Sequence, residues 1–211
     1  MPRTIEFDKQ ETLRRAMHVF WRQGYNATSV KDLTAATHLQ PGSLYGTFHN
    51  KRSLFIAALD AYFLEIRQRI QDCLYASGPP ISRLRTFFAI LIEETACDPE
   101  QKGCLLVNTL LEMPAEDAEI NHRVSQMFAE VEGEFARILK EAQQCGDLSA
   151  DKNPAVLAQL LVVGIYGLRV YHKTQPGTES LRKIADGLFA ALDVPITQTL
   201  KSKHSEAQNK S

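Results

Sequence analysis

The sequence predicts an all-α protein of about nine helices, and three observations carry that prediction. Apolar residues recur at helical spacing in segment after segment, as with Leu13, Ala16, Met17 and Phe20 at i, i+3, i+4 and i+7. Glycines, prolines and short polar caps fall where those stripes begin and end. No stretch alternates apolar and polar residues over a strand's length, and no internal repeat stands out.

Taken in order, the first helix carries the Leu13–Phe20 stripe and stops at Gly24, a residue suited to the left-handed turn beyond a helix. Thr28 is read as the N-cap of a short second helix over 28–36 bearing Val30, Leu33 and Ala36, with Asp32 placed well for the helix dipole. Gln40-Pro41 opens a third, ending near Phe48, and Asn50 caps a long fourth. "SGPP" at 77–80 is the one strong internal break before helix five. A short apolar helix from about Cys104 to Glu112 stops at Pro114. Helix seven holds a 3.6-residue period from Ile120 to Leu139 and ends at Gly146. Asn153-Pro154 starts an apolar helix eight, and Thr178 is read as the cap of a last helix carrying Leu181, Ile184, Leu188 and Leu192. The polar tail, 196–211, is expected to be disordered.

At 211 residues, 44% hydrophobic and 23% charged, the chain has the composition of a soluble globular protein. No apolar run approaches the roughly 18 residues of a membrane span. The N-terminus has no apolar stretch of signal-peptide type, so a cytoplasmic location and no membrane partner are expected. Cys73, Cys97, Cys104 and Cys145 form no C-x-x-C pair, which argues against a zinc cage or a disulfide framework; no metal or cofactor is expected. The net charge of −1 hides an asymmetry. Residues 1–52 hold eight basic and four acidic side chains, a surplus of four, leaving −5 for the remainder. A basic head on an acidic body points to a polyanion met by the head alone.

Helices 28–36 and 40–48, joined by a tight connection and backed by helix one, have the layout of a helix-turn-helix. That motif needs a short second helix whose N-terminal end is free of bulky apolar groups, because that end enters the major groove. Gln40, Gly42 and Ser43 suit it: Gln matches an adenine edge, Ser reaches a base or phosphate, and Gly lets backbone come close. Leu44 and Phe48 would face inward against Phe20, Val30 and Leu33, leaving Tyr45 to project its hydroxyl toward a phosphate. Asn50-Lys51 begins the next helix, so backbone N–H groups and an ammonium point the same way. The run could equally be an ordinary turn before a structural helix, since the pattern alone is weak.

The stretch "ETLRRAMHVFWRQGYNATSVKDLTAATHLQPGSLYGTFHNKRSLFIAAL" resembles the N-terminal DNA-binding domain of the TetR/AcrR family of transcriptional repressors. The resemblance rests on F-x-x-x-G-Y, T-S-V-x-D-L and P-G-S-L-Y-x-x-F-x-x-K without a gap. It implies phosphate contacts at Thr28, Tyr45, His49 and Lys51, and base contacts at Gln40, Gly42 and Ser43 of double-stranded DNA. Lys31, one turn into helix two, is a further backbone candidate; for it and His49 a solvated surface is the competing reading. His38 stands where members usually carry Gly, at a position that favours φ > 0, and Gln40 replaces a better N-cap. The domains expected are 1–50 for DNA binding and 51–195 for effector binding and dimerisation.

The resemblance implies that the later helices enclose an effector cavity and that the last two pair with a second copy. "PAVLAQLLVVGIYGLRVYHKT" is itself too apolar to face water, and Leu161, Gly164, Ile165 and Leu168 with Leu181, Ile184, Leu188 and Phe189 are the interface candidates. Phe63, Phe87, Phe88, Asn108, Phe128 and Tyr166 are candidates for the pocket of a small-molecule effector. The Gly103-Cys104-Leu105 segment resembles a subgroup in which a cysteine responds to electrophiles. Placed in the first turn of helix six with Lys102 nearby, Cys104 would gain thiolate character; it could equally be a small buried hydrophobe. No catalytic constellation is visible, so an enzyme is not expected. The expectation is a ligand-responsive repressor that binds a palindromic operator as a homodimer, with a ligand-independent DNA binder and, more remotely, a helical thiol enzyme as alternatives.

Overall fold

Capping side chains, prolines and glycines set most helix boundaries in the computed structural model of the protein, which describes residues 9–114 and 117–192. The tail expected at 196–211 lies outside the described residues. Among these residues are nine α-helices and no strand. They are α1 (Lys9–Gln23), α2 (Val30–Thr37), α3 (Pro41–Phe48), α4 (Lys51–Leu74), α5 (Pro80–Ala96), α6 (Leu105–Glu112), α7 (Ala118–Gln144), α8 (Pro154–Tyr171) and α9 (Thr178–Ala190), with a 3-10 turn at His172–Thr174.

Gly24 takes φ +82° directly after α1, and its N–H closes on the Phe20 carbonyl at 2.8 Å. Asn50 accepts from the Ser53 N–H at 2.8 Å and Asn153 from Ala155 at 3.0 Å, so both asparagines cap as their positions predict. Two expected caps are corrected. Thr178 is the first residue of α9, and Gly177 holds the cap. Thr28 is buried, and Ser29 caps α2. The Ser29 hydroxyl accepts from the Asp32 N–H at 3.2 Å while the Ser29 N–H reaches back to the Asp32 carboxylate at 2.8 Å, a reciprocal capping box.

The Ser29 hydroxyl also donates to the Asp32 carboxylate at 2.6 Å, and that bond, with the one from the Ser29 N–H, holds the carboxyl below its ordinary range. A depressed carboxyl stabilises the fold above the unfolded pKa and loses that contribution as pH falls through the folded one. Ser29→Ala should therefore lower stability by about 1 kcal/mol at neutral pH. Its deficit should narrow in acid, and thermal melts of wild type and variant across pH check both.

The core is continuous from head to body. Ala16, Met17, Phe20, Leu33, Leu44 and Phe48 close the three-helix head, while Leu54 and Phe55 at the start of α4 join it to the rest. Phe20 meets Phe55 edge-on at 5.0 Å. Val30, expected inside, is exposed. In the body, Phe135 of α7 takes the edges of Phe87 and Phe88 at 5.3 and 6.4 Å, and Phe88 meets Phe189 at 5.1 Å. Gly164 lets α8 and α9 approach so closely that a Cβ there would run into the Leu188 methyls. Pro154–Thr174, interrupted by Gln159, Arg169 and Lys173, is long and apolar enough to cross a bilayer by length and composition alone, and 33% of its most apolar stretch is buried inside the protein. Its inward face is Leu157, Leu161, Ile165 and Leu168.

Candidate DNA-binding face and effector site

Only short-range geometry is needed to present the N-terminal end of α3. His38 ends α2 at φ 57°, ψ 25°, the left-handed conformation that its place in the turn demands. Gln40 then enters α3 extended and makes no side-chain cap, leaving its amide free of the helix. Leu44 and Phe48 anchor the inner face, which turns Gln40, Gly42, Ser43 and Gly46 to solvent. Nothing lies within 4 Å of a Cβ built on Gly42 or Gly46. These glycines are four apart, so they keep one strip of the helix flat enough for close approach of a duplex.

Around this strip stand Lys31 and His49, both exposed, with Lys51 at the first position of α4. The Lys51 ammonium sits 4.5 Å above the Tyr25 ring, which orients it beside the N-terminus of α4. Its neighbour Arg52 turns the other way, to Asp117 at 2.8 Å and Glu119 at 2.6 Å. The basic pair is thus divided between the exposed face and the body. Two expected phosphate contacts are corrected. Thr28 is 1% exposed, and its hydroxyl donates to the Gly24 carbonyl at 2.5 Å, so the exposed hydroxyl is that of Ser29. The Tyr45 hydroxyl is buried with no protein partner, and burial raises its pKa. It points inward.

One contact that the sequence reading missed links head to body. Glu112, the last residue of α6, accepts the N–H groups of Tyr25 at 2.8 Å and Asn26 at 2.6 Å, gripping the turn that leads into α2. A Cβ on Gly24 would sit 2.6 Å from the same carboxylate, so glycine makes room for the grip as well as supplying the turn.

A cavity of about 290 Å³ lies where α1 meets α4, α5 and α8. Its walls include Trp21, Tyr62, Ile66, Arg69, Lys102 and Arg169. None of the expected effector residues lines it. Phe87 and Phe88 belong to the aromatic core already described, and Phe63 is buried with the Arg67 guanidinium 5.2 Å from its ring. Phe128 tilts against Tyr166 at 4.7 Å, and burial pushes the Tyr166 hydroxyl up. Asn108 donates to the Lys102 carbonyl at 2.9 Å, which ties down the segment before α6. Tyr62 and Trp21, neither of them among the expected effector residues, meet edge-on at 4.9 Å and form the apolar wall.

Cys104 is the N-cap of α6 and lies outside its first turn. It is 4% exposed, and its sulfur accepts from the Tyr62 hydroxyl at 3.7 Å, a hydroxyl whose pKa burial raises further from its usual value. Lys102, expected to act on the thiol, is held by Asp98 at 2.7 Å and Glu100 at 3.2 Å. Burial works against both charges of the Lys102–Asp98 pair, yet their mutual hydrogen bonding keeps Asp98 low and Lys102 high.

The interface candidates divide. Leu161, Ile165, Leu168, Leu181 and Phe189 are buried within one chain and cannot meet a second copy, because they face α7 and the helix partners of their own subunit. Ile184 is exposed, while Leu188 is spent partly on Gly164. The outward face of α8 is instead Val156, Leu160, Val163 and Val170, with exposures of 57, 38, 63 and 48%.

Residues 13–58 match the family described as "Bacterial regulatory proteins, tetR family", and residues 80–187 match the "Tetracyclin repressor-like, C-terminal domain". The chain is 27% identical to the repressor DhaR of Mycobacterium sp. (strain GP1) over 92% of its own length and 96% of that protein's. It is 30% identical to the transcriptional regulator AcuR of Cereibacter sphaeroides over 75% and 73% of the two chains. Among solved structures it is similar to a cysteine-substituted form of the regulator CifR complexed with 26-bp double-strand operator DNA. That likeness has a TM-score of 0.82 at 27% identity and covers 90% of this chain and all of that one.

Proposed function

The chain belongs to the TetR family of transcriptional regulators, and from that premise we propose that it is a cytoplasmic repressor that binds a palindromic operator as a homodimer and is released by an effector. The observation that carries this reading is the bare N-terminal strip of α3. Gln40, Gly42 and Ser43 are exposed and outside the core that Leu44 and Phe48 of the same helix join, so they have no packing task there. In this reading they meet base edges in the major groove, while Ser29, Lys31, His49 and Lys51 meet phosphates on either side.

Pairing runs through the outward face of α8. Residues 156, 160, 163 and 170 lie at i, i+4, i+7 and i+14, the spacing of a helix-packing seam, and Gly167 keeps it open between the last two. Two copies packed there as a C2 dimer present two α3 helices to two operator half-sites. The division of the chain near residue 50 follows from these two tasks.

Effector action is assigned to the body, and α4 and α6 are its routes to the head: α4 runs from the Asn50 cap into the body, and α6 ends on Glu112. An effector works only by binding the DNA-competent and released arrangements with different affinity. Buried as it is, Cys104 favours a reversible ligand over direct attack by an electrophile.

Fluorescence anisotropy on the DNA upstream of the chain's own gene, over a salt series, tests this function. Specific binding should weaken steeply with salt. Lys51→Ala should flatten the salt slope by about one unit without changing sequence preference. Gln40→Ala should cost about 1–3 kcal/mol at its own base pair and relax preference there. Binding without preference between operator and unrelated DNA at every salt concentration would defeat the proposal.

A further inference from the structure

Arg169 makes no ion pair among the described residues, and the carboxylate whose charge reaches it, Glu94, is already held by Arg69 at 2.7 Å. The residue is only 8% exposed. Its hydrogen bonds, both from Nη1, go to the Tyr62 hydroxyl at 2.9 Å and the Gly103 carbonyl at 3.3 Å, which are neutral acceptors. The guanidinium borders the head–body cavity. The cavity's other two cations are already matched: Arg69 pairs with Glu94 at 2.7 Å, and Lys102 pairs with Asp98. A buried cation without a counter-charge costs several kcal/mol, so buried charges are ordinarily paired. Two more donors or acceptors on the same wall have no partner, Trp21 Nε1 and His172 Nε2.

We propose that this cavity binds a small monocarboxylate, its anionic group paired with Arg169 and its apolar remainder laid against Trp21, Tyr62 and Ile66. A guanidinium suits a planar carboxylate because two parallel N–H groups match its two oxygens. The two ion pairs leave Arg169 as the one buried charge and Glu65 as an exposed one; the single buried cation selects a single negative charge, and the carboxylates of Glu65, Glu94 and Asp98 on the lining disfavour a dianion. The volume, about 290 Å³, sits at the lower end of small-molecule sites and limits the tail to a short chain or single ring. Trp21 belongs to α1 of the head, Tyr62 to α4 and Arg169 to α8, so an occupant touches both parts of the molecule at once. That such a ligand acts as the effector rests on the function proposed above, whereas its binding does not.

Trp21 is the chain's one tryptophan, so its emission, excited where the six tyrosines do not absorb, reports this cavity. The DNA-free protein is titrated with hexanoate and, in parallel, with hexanamide, which keeps the shape and lacks the charge. A saturable change with hexanoate, and at least about tenfold weaker binding of hexanamide, is the expected result. Arg169→Gln should lose the preference for the acid, and Arg169→Lys should keep part of it. Equal responses to acid and amide in the wild type, or no saturable response to hexanoate, would overturn the site whether or not the variants fold. Operator binding measured beside it reports separately on the regulator: specific DNA binding with no response to hexanoate sinks the site and leaves the repressor standing.

Discussion

Val163→Asp should split the homodimer and weaken operator binding by about two orders of magnitude or more. Val163 is 63% exposed midway along the outward face of α8, between Leu160 and Val170. Its own subunit therefore loses little by the change. Around a two-fold axis the same position recurs on the partner, so the substitution introduces carboxylates on both sides of one apolar seam. Removing each from water costs several kcal/mol with no cation at hand to offset it. A monomer can engage only one half-site, and the avidity of the second is lost. Leu64→Asp is the matched control, since Leu64 is 64% exposed on α4, away from the seam. Sedimentation should show a dimer for wild type and Leu64→Asp and a monomer for Val163→Asp, with operator anisotropy following the same division. A dimeric Val163→Asp protein would remove α8's outward face as the interface.

How much of this was legible beforehand depended on distance along the chain. Boundaries set by neighbours within a few residues read correctly: Gly24 after α1, Asn50 before α4, Asn153-Pro154 before α8, and the left-handed turn at His38. The Thr28 cap failed against an adjacent competitor. Thr28-Ser29 offers two capping hydroxyls, and only the S-x-x-D spacing from Ser29 to Asp32 distinguishes them. The inward and outward faces of α8 were not separable, because a helix apolar nearly all round carries no periodic signal. Leu161, Ile165 and Leu168 went inward, and Val156, Leu160 and Val163 went outward, through packing against α7 and α9. Effector candidates chosen as aromatics found the core instead, since a large apolar ring is worth most where it is fully buried. Arg169 was invisible for the opposite reason: one arginine near the end of a helix reads as a solvated cation or a partner of the helix dipole. Glu112 did leave a trace. A carboxylate at a helix C-terminus sits at the unfavourable end of the dipole, which is a reason to look for what else holds it.

Replacing that carboxylate should loosen one of the two links between head and body. Glu112→Ala removes two hydrogen bonds from a charged acceptor to the Tyr25 and Asn26 N–H groups, each worth about 1.5–3 kcal/mol. The head keeps its own core, its Ser29–Asp32 capping box and its continuity with α4, so it stays folded and its α3 strip stays exposed. What changes is the constraint that makes the turn before α2 follow α6. With it released, operator affinity should change by less than about tenfold, while the effect of a ligand of the body on that affinity should fall by the share that α6 carries and keep the share that α4 carries. Glu112→Gln keeps one acceptor oxygen and places an amide N–H₂ against a backbone N–H, so it should lie between alanine and wild type. Hydrogen exchange offers a direct reading: the Tyr25 and Asn26 amides, protected in wild type, should exchange faster in both variants, more so in alanine, with the α1 amides before Gly24 unchanged. Undiminished protection at Tyr25 and Asn26 in Glu112→Ala would mean that the turn is held by the head itself. In that case α4, anchored at Asn50 and by Arg52 to Asp117 and Glu119, would be left as the route between the two parts.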